Sequence, residues 1–195
     1  MDILIASANV DKVKEIREMF SELNHMVLPL TEKIEVIEDG ATYFDNAFKK
    51  AKEISEHTNK IVLADDSGFE IDFLDKKPGV LTARFLGEKT SYEEKNKKYL
   101  ELLSGVPTEK RTARATCALV LYFPNGEFIS STGILEGLIS ETIRGDGGFG
   151  FDPIFFVTEY NMTLGQMEKE FKNKISHRKK ALDGLIEKLR ERGNG

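Results

Sequence analysis

The sequence predicts an α/β protein with a mixed, twisted sheet flanked by helices. Three observations lead there. The chain opens on a strand–loop–helix unit, "DILIA" and then "NVDKVKEIREMFSEL". Its middle holds two long apolar runs joined at Asn125-Gly126, a hairpin signal. Its last segment carries an apolar stripe at helical spacing. An α/β start followed by antiparallel strands and a closing helix fits one mixed sheet covered by helices.

Taken in order, Asp2 to Ala6 reads as a buried strand. Val13, Ile16, Met19, Phe20 and Leu23 then recur at helical spacing. "HMVLPL" and "IEVIE" are short strand candidates. Thr42 and Asp45 form a capping-box-like pair, with Asp in place of the usual Glu or Gln. Behind them Phe44, Ala47, Phe48, Ala51 and Ile54 make one stripe, so this segment is a helix. Lys60 to Asp65 reads as a strand, and "FEIDFL" as a second one after a Ser67-Gly68 turn. Ser91 and Glu94 cap a helix through "SYEEKNKKYLELL". "TARATCALVLYF" places Ala115, Cys117, Leu119, Leu121 and Phe123 on one face of a strand that turns at Asn125-Gly126 into "EFISSTGILEGLIS". "IFFV" is a further strand. From about Ser176 a last helix aligns Ala181, Leu182, Leu185, Ile186 and Leu189, and the tail "RERGNG" is expected to fray.

At 195 residues the chain is expected to form a single domain over 1–195. Its 28 basic and 33 acidic residues leave a net charge of −5, which argues against broad nucleic-acid binding. The single cysteine, Cys117, allows no intrachain disulfide and fits a reducing compartment. No signal-peptide pattern and no apolar run of membrane-spanning length is evident. The expected location is the cytoplasm, with no membrane or nucleic-acid partner.

Chemistry is suggested at five places. Asp65 and Asp66 stand together in "LADDSGFEIDF". Neighbouring strand residues face opposite ways, so both reach one ligand only if the chain turns. A divalent cation such as Mg²⁺ would suit such acids, whereas a solvated strand end is the plain alternative. Glu35, Glu38 and Asp39 form a second acidic cluster, which reads more simply as surface charge. "SANVDK" lies between the first strand and first helix, where backbone N–H groups attract anions; Ser7, Asn9 and Lys12 add polar groups, although taken by itself the stretch reads more simply as a helix cap with a surface lysine. "GDGGFGFDP" matches G-x-G-x-x-G literally, but a strand rather than a helix follows, so the dinucleotide reading fails. Phe149 and Phe151 could instead stack on a flat base and Asp152 bond its edge, or both rings could simply fill the core. Lastly, Lys172, Lys174, His177, Arg178, Lys179 and Lys180 crowd a helix start, where cations oppose the macrodipole unless an anion joins them. There is no HExxH, no Cys/His zinc cluster and no G-x-S-x-G.

In order and spacing, "SANVDK", "EDGATYFDNAFKKA", "ADDSG", "PGVLTARF", "GGFGFDPIF" and "KNKISHRKKAL" resemble the inosine triphosphate pyrophosphatase family, the Ham1/RdgB-like dITP/XTP pyrophosphatases. The resemblance covers nearly the whole chain. It implies an elongated mixed sheet, two lobes with a central substrate cleft, and a homodimer. It implies Mg²⁺-dependent hydrolysis of non-canonical purine nucleoside triphosphates (ITP, dITP, XTP) to the monophosphate and pyrophosphate. By the same resemblance Asp66 is the catalytic base and a metal contact, with Glu38 the other metal carboxylate. Ser7, Asn9, Lys12, Ser67, Phe149, Gly150, Phe151, Asp152, Lys172, His177 and Arg178 are then substrate contacts. Two departures stand out: Phe151 occupies a position where Tyr or Trp is frequent, and Ser7-Ala8 replaces Thr-Gly or Thr-Thr.

Overall fold

A computed structural model describes residues 2–7, 9–20, 26–30 and 34–193, apart from the side chains of Asp11 and Met19. The elements are β1 (Asp2–Ala6), α1 (Val10–Phe20), β2 (Met26–Pro29), α2 (Tyr43–Thr58), β3 (Ile61–Ile71), β4 (Lys77–Pro78), α3 (Tyr92–Leu102), β5 (Thr112–Tyr122), β6 (Phe128–Ile139), β7 (Phe155–Val157), β8 (Met162–Thr163), α4 (Lys169–Ile175) and α5 (His177–Gly193). The strands make one open mixed sheet in the order β2-β1-β3-β5-β6-β7-β8, with β4 paired to β3. β1 runs parallel to β2 and β3, Leu4 opposite Leu28 on one side and Val62 on the other. β7 is antiparallel to β6 and β8.

The chain divides into two compact units. The first comprises residues 1–67, 117–133 and 177–195. Ile3, Ile5, Ile16, Phe20, Leu63, Cys117, Leu119, Leu121, Ala181, Leu182 and Leu185 form its core. The second comprises 68–116 and 134–176, around Phe69, Tyr99, Leu103, Ile139, Ile154, Phe155 and Leu164. Arg111 is buried in it and donates to three backbone carbonyls, those of Leu103, Ile139 and Ser140.

Several expectations hold. Both capping boxes are formed, Thr42 with Asp45 and Ser91 with Glu94. Asn125 and Gly126 turn the chain between β5 and β6, with Gly126 at φ +89°. Other expectations are corrected. Residues 34–38, read as a strand, are irregular. Ser67-Gly68 is no turn: β3 runs straight through it to Ile71, and "FEIDFL" adds only its last residues before a 3₁₀ turn at Asp72–Leu74. Gly68 is needed for close approach, because a Cβ there would lie 2.6 Å from the Gly79 carbonyl oxygen. Thr82 occupies the same space and accepts from the Phe69 N–H at 3.1 Å. The one-sided alternation expected of β5 is absent, since eight consecutive residues, Ala115–Tyr122, are buried as in a central strand. Helical structure also begins before Ser176, in α4, and α5 keeps Arg190–Gly193 helical; Leu23 and the last two residues of the tail lie outside the described residues.

Candidate active site

In the first unit, β3 delivers Asp65, Asp66 and Ser67 in a straight strand, so Asp65 and Ser67 share one face and Asp66 points to the other. Asp65 is 1% exposed. It accepts from Lys12 at 2.8 Å and from the Ser67 hydroxyl at 2.8 Å. Burial alone would raise its pKa, but the charges of Lys12, Arg178 and Lys50 hold it well below the usual carboxylate range. Asp65 anchors these cations.

Asp66 is the opposite case. Burial and the nearby Glu38 charge raise its pKa, against a hydrogen bond from Asn46. Asn46 is fully buried on α2; it donates to Asp66 Oδ2 at 2.9 Å and accepts from the Gly40 N–H at 2.7 Å. The Ser67 N–H donates to Asp66 Oδ1 at 2.9 Å. Both carboxylate oxygens are thus aimed, and each keeps a lone pair. Lys50, also on α2, donates to the Asp65 carbonyl at 2.9 Å and pairs with Glu38.

At the start of α1, Asn9 accepts from the Lys12 N–H at 3.2 Å, so it caps the helix, and its own N–H donates to Ser7 Oγ at 3.3 Å. Lys12 is turned by this cap toward Asp65. At the start of α5, His177 and Arg178 are buried, and Arg178 pairs with the buried Glu15 of α1. Gly133 of β6 lets that helix start come close: a Cβ there would sit 2.9 Å from the Lys180 carbonyl carbon and nearer still to His177 O and Ala181 N. Cys117 lies beneath, its thiol pushed up to about 11 by burial, and bonded to Ser67.

In the second unit, the loop Phe149–Asp152 is fastened from inside. Asp152 Oδ2 accepts from the Phe149 N–H at 2.8 Å and from the buried Lys172 at 2.8 Å. The Lys172 ammonium lies 4.8 Å from the Phe149 ring centroid. Phe151 packs its ring on Phe69 at 4.4 Å, so it serves the core. Gly150 has φ +68°, a left-handed conformation that favours glycine.

The Ham1 family model matches residues 3–188. The chain belongs to the Ham1 family. It is 44% identical to a protein of Desulforamulus reducens named dITP/XTP pyrophosphatase, over 97% of this chain and 96% of that one. A protein of the same name from Clostridium perfringens is 42% identical, with 96% of each covered. Among solved structures, a HAM1 protein from Coxiella burnetii superposes with a TM-score of 0.89 at 35% identity, covering 98% of this chain and 99% of that one. The Staphylococcus aureus Ham1 protein gives 0.88 at 34%, covering 98% and 100%.

In this Ham1 chain the first unit carries Ser7, Asn9, Lys12, Glu38, Asp66, Ser67, His177 and Arg178, and the second carries Phe149, Gly150, Phe151, Asp152 and Lys172. Sequence reading passed over Lys50, Asn46 and Glu15, which hold or neutralise those residues. Lys50 and Asn46 sit four residues apart on α2, and their spacing placed them on one face without saying that the face meets β3. Among the described residues no group of three or more His, Cys, Asp or Glu could hold a metal ion, and no helix is long and apolar enough to cross a membrane. Glu38 and Asp66 nevertheless suit a hard divalent ion. They are two carboxylates close enough to repel, and a lysine ammonium already neutralises one of them. Mg²⁺ takes few protein carboxylates and fills its shell with water and phosphate oxygens.

Proposed function

We propose that this chain hydrolyses non-canonical purine nucleoside triphosphates, ITP, dITP and XTP, to the monophosphate and pyrophosphate, and so cleanses the nucleotide pool. One observation carries the reading. In a chain 44% identical to a named dITP/XTP pyrophosphatase, a buried carboxylate of raised pKa is ringed by lysines and faced by a second acid. That arrangement fits a base beside a polyanion.

The reaction adds water at the α-phosphorus and breaks the α–β anhydride bond. Asp66 takes the proton of the attacking water, and its raised pKa makes it a better base than an ordinary aspartate. Asn46 and the Ser67 N–H fix its two oxygens, so it meets the water in one orientation. Lys12, aimed by Asp65, and Lys172 offset charge on the departing pyrophosphate. Ser7 and Asn9 donate to phosphate oxygens, and Ser67, whose hydroxyl proton is given to Asp65, lines the site as a substrate contact. Glu38 and Asp66 would hold Mg²⁺, which when bound neutralises phosphate charge and polarises the phosphoryl group. Phe149 stacks on the base, and Gly150, Phe151 and Asp152 frame it. His177 and Arg178 donate to its 6-keto oxygen; the 6-amino group of adenine would leave those donors unmatched. The protein works as a cytoplasmic homodimer.

A panel of nucleoside triphosphates with Mg²⁺, scored for pyrophosphate against orthophosphate, tests this. Asp66→Asn is expected to abolish pyrophosphate release from ITP while keeping the parent circular dichroism spectrum. ITP hydrolysis at the parent rate by that variant, or orthophosphate as the first product, would sink the assignment.

A further inference from the structure

Within the second unit, α3 lies against the Phe149–Asp152 loop through two side chains that the function above does not use. Asn96 is 3% exposed and donates from Nδ2 to the Gly150 carbonyl at 3.0 Å. Because the partner is a carbonyl, the amide nitrogen must face it, and Oδ1 faces away. That oxygen is buried and accepts no hydrogen bond. One turn earlier, the Tyr92 ring lies against Gly150, where a Cβ would meet it at 3.6 Å. Gly150 is thus held by its carbonyl and backed by a ring.

We propose that Asn96, backed by Tyr92, is a positioning residue for base selection: it fixes the Gly150–Phe151 peptide plane against which the purine edge is read. The inference rests on the pyrophosphatase reading above and extends it to a helix outside the substrate contacts. A trans peptide directs its C=O and N–H in opposite senses, so tying the Gly150 carbonyl to α3 turns the Phe151 N–H away from α3. The Phe151 ring is committed to Phe69, which anchors the far end of that plane. The platform is itself preset. The Ser91–Glu94 capping box fixes the first turn of α3. Lys95, 2% exposed, donates to the Ala83 carbonyl at 2.6 Å, and its ammonium lies 5.3 Å from the Tyr92 centroid. The amide satisfies the Gly150 carbonyl while its own Oδ1 stays buried without a hydrogen bond among the described residues, so its gain lies in where that carbonyl points rather than in the number of polar groups paired. The amide makes sense where the direction of one carbonyl matters.

The test is steady-state kinetics on ITP and ATP with Mg²⁺, with inorganic tripolyphosphate as an inhibitor that reports the phosphate end alone. Asn96→Leu is expected to raise KM for ITP roughly tenfold with kcat within about twofold, the scale of one lost orienting hydrogen bond. The ITP-over-ATP ratio of kcat/KM should fall by about as much, with tripolyphosphate inhibition unchanged. Tyr92→Ala, at an exposed position where folding is safe, should shift the ratio the same way, and Tyr92→Phe should restore it. An unchanged ratio in both Asn96→Leu and Tyr92→Ala overturns the proposal. So does a parallel loss of kcat, KM and tripolyphosphate binding, which marks a structural role. The parent's own rate on ITP judges the pyrophosphatase reading separately. Should the parent not turn over, calorimetric binding of ITP against ATP to parent and Asn96→Leu decides the positioning role by the same ratio.

Discussion

Gly133→Ala should damage both stability and catalysis from a position that touches no substrate. The added methyl would lie 2.9 Å from the Lys180 carbonyl carbon and closer to two more backbone atoms of α5. Ordinary contact needs about 3.4 Å or more, and no flexible side chain stands in the way to yield. The two closer atoms set the shift, so the start of α5 must retreat by roughly 1 Å or more. Overpacking of this kind costs about 1–3 kcal/mol. In a chain of this size, about 2 kcal/mol lowers Tm by about 4–8 °C. The same retreat moves His177 and Arg178, and a 1 Å misplacement of a binding group costs up to about 100-fold in rate. Thermal unfolding and kcat/KM on ITP, measured well below Tm, read the two effects. Gly105→Ala is the control. Gly105 has φ +75° and open space around it, so backbone strain should cost about 1–2 kcal/mol with catalysis at the parent level. A Gly133→Ala protein with parent kcat/KM would refute the claim that this contact places His177 and Arg178.

Two further outcomes follow from buried charge. Asp65 has a folded pKa below its unfolded value, so its stabilising contribution is complete above about pH 4 and is lost as pH falls through the depressed folded value. Lys12→Met removes the nearest cation and should cost about 3 kcal/mol at neutral pH. It should also move the acid-unfolding midpoint upward in circular dichroism; a midpoint at the parent pH would contradict the pairing. Arg111→Met strands three buried carbonyls in the second unit and should cost about 3 kcal/mol, or roughly 6–12 °C in Tm. A Tm within a degree of the parent would show that those bonds contribute nothing net.

Periodicity and capping made most elements legible. The stripes of α2 and α5, both capping boxes and the Asn125-Gly126 turn depend on residues within one or two helical turns of each other. What failed depended on distant partners. Ser67-Gly68 has turn chemistry, yet Gly68 serves the approach of the Gly79–Thr82 segment, which lies over ten residues away. Residues 34–38 are rich in β-branched residues like a strand but pair with no strand among the described residues. At the site, the carboxylates and cations could be named one by one, whereas their pairing could not. Lys12 with Asp65, Lys50 with Glu38 and Arg178 with Glu15 join residues separated by up to most of the chain. Phe151 shows the same limit: the motif left its ring open to a base or to the core, and its packing on the distant Phe69 was not legible from it.

The interleaved make-up of the two units has a consequence for biosynthesis. Every residue of the second unit has been made once synthesis passes Ser176, whereas the first unit still lacks Ala181, Leu182 and Leu185, three members of its core. Each leucine contributes about 1.5–3 kcal/mol when buried, a large part of the margin that a domain holds over its unfolded chain. Until α5 emerges, the residues that β1, β3 and β5 give to this core lack three of its members, and an unfinished chain of this kind invites chaperones and proteases. The helix that ends the exposure also brings Arg178 to Glu15. A ribosome that stalls before residue 177 leaves a product lacking both core closure and that pair, so stability and competence arrive with the same helix.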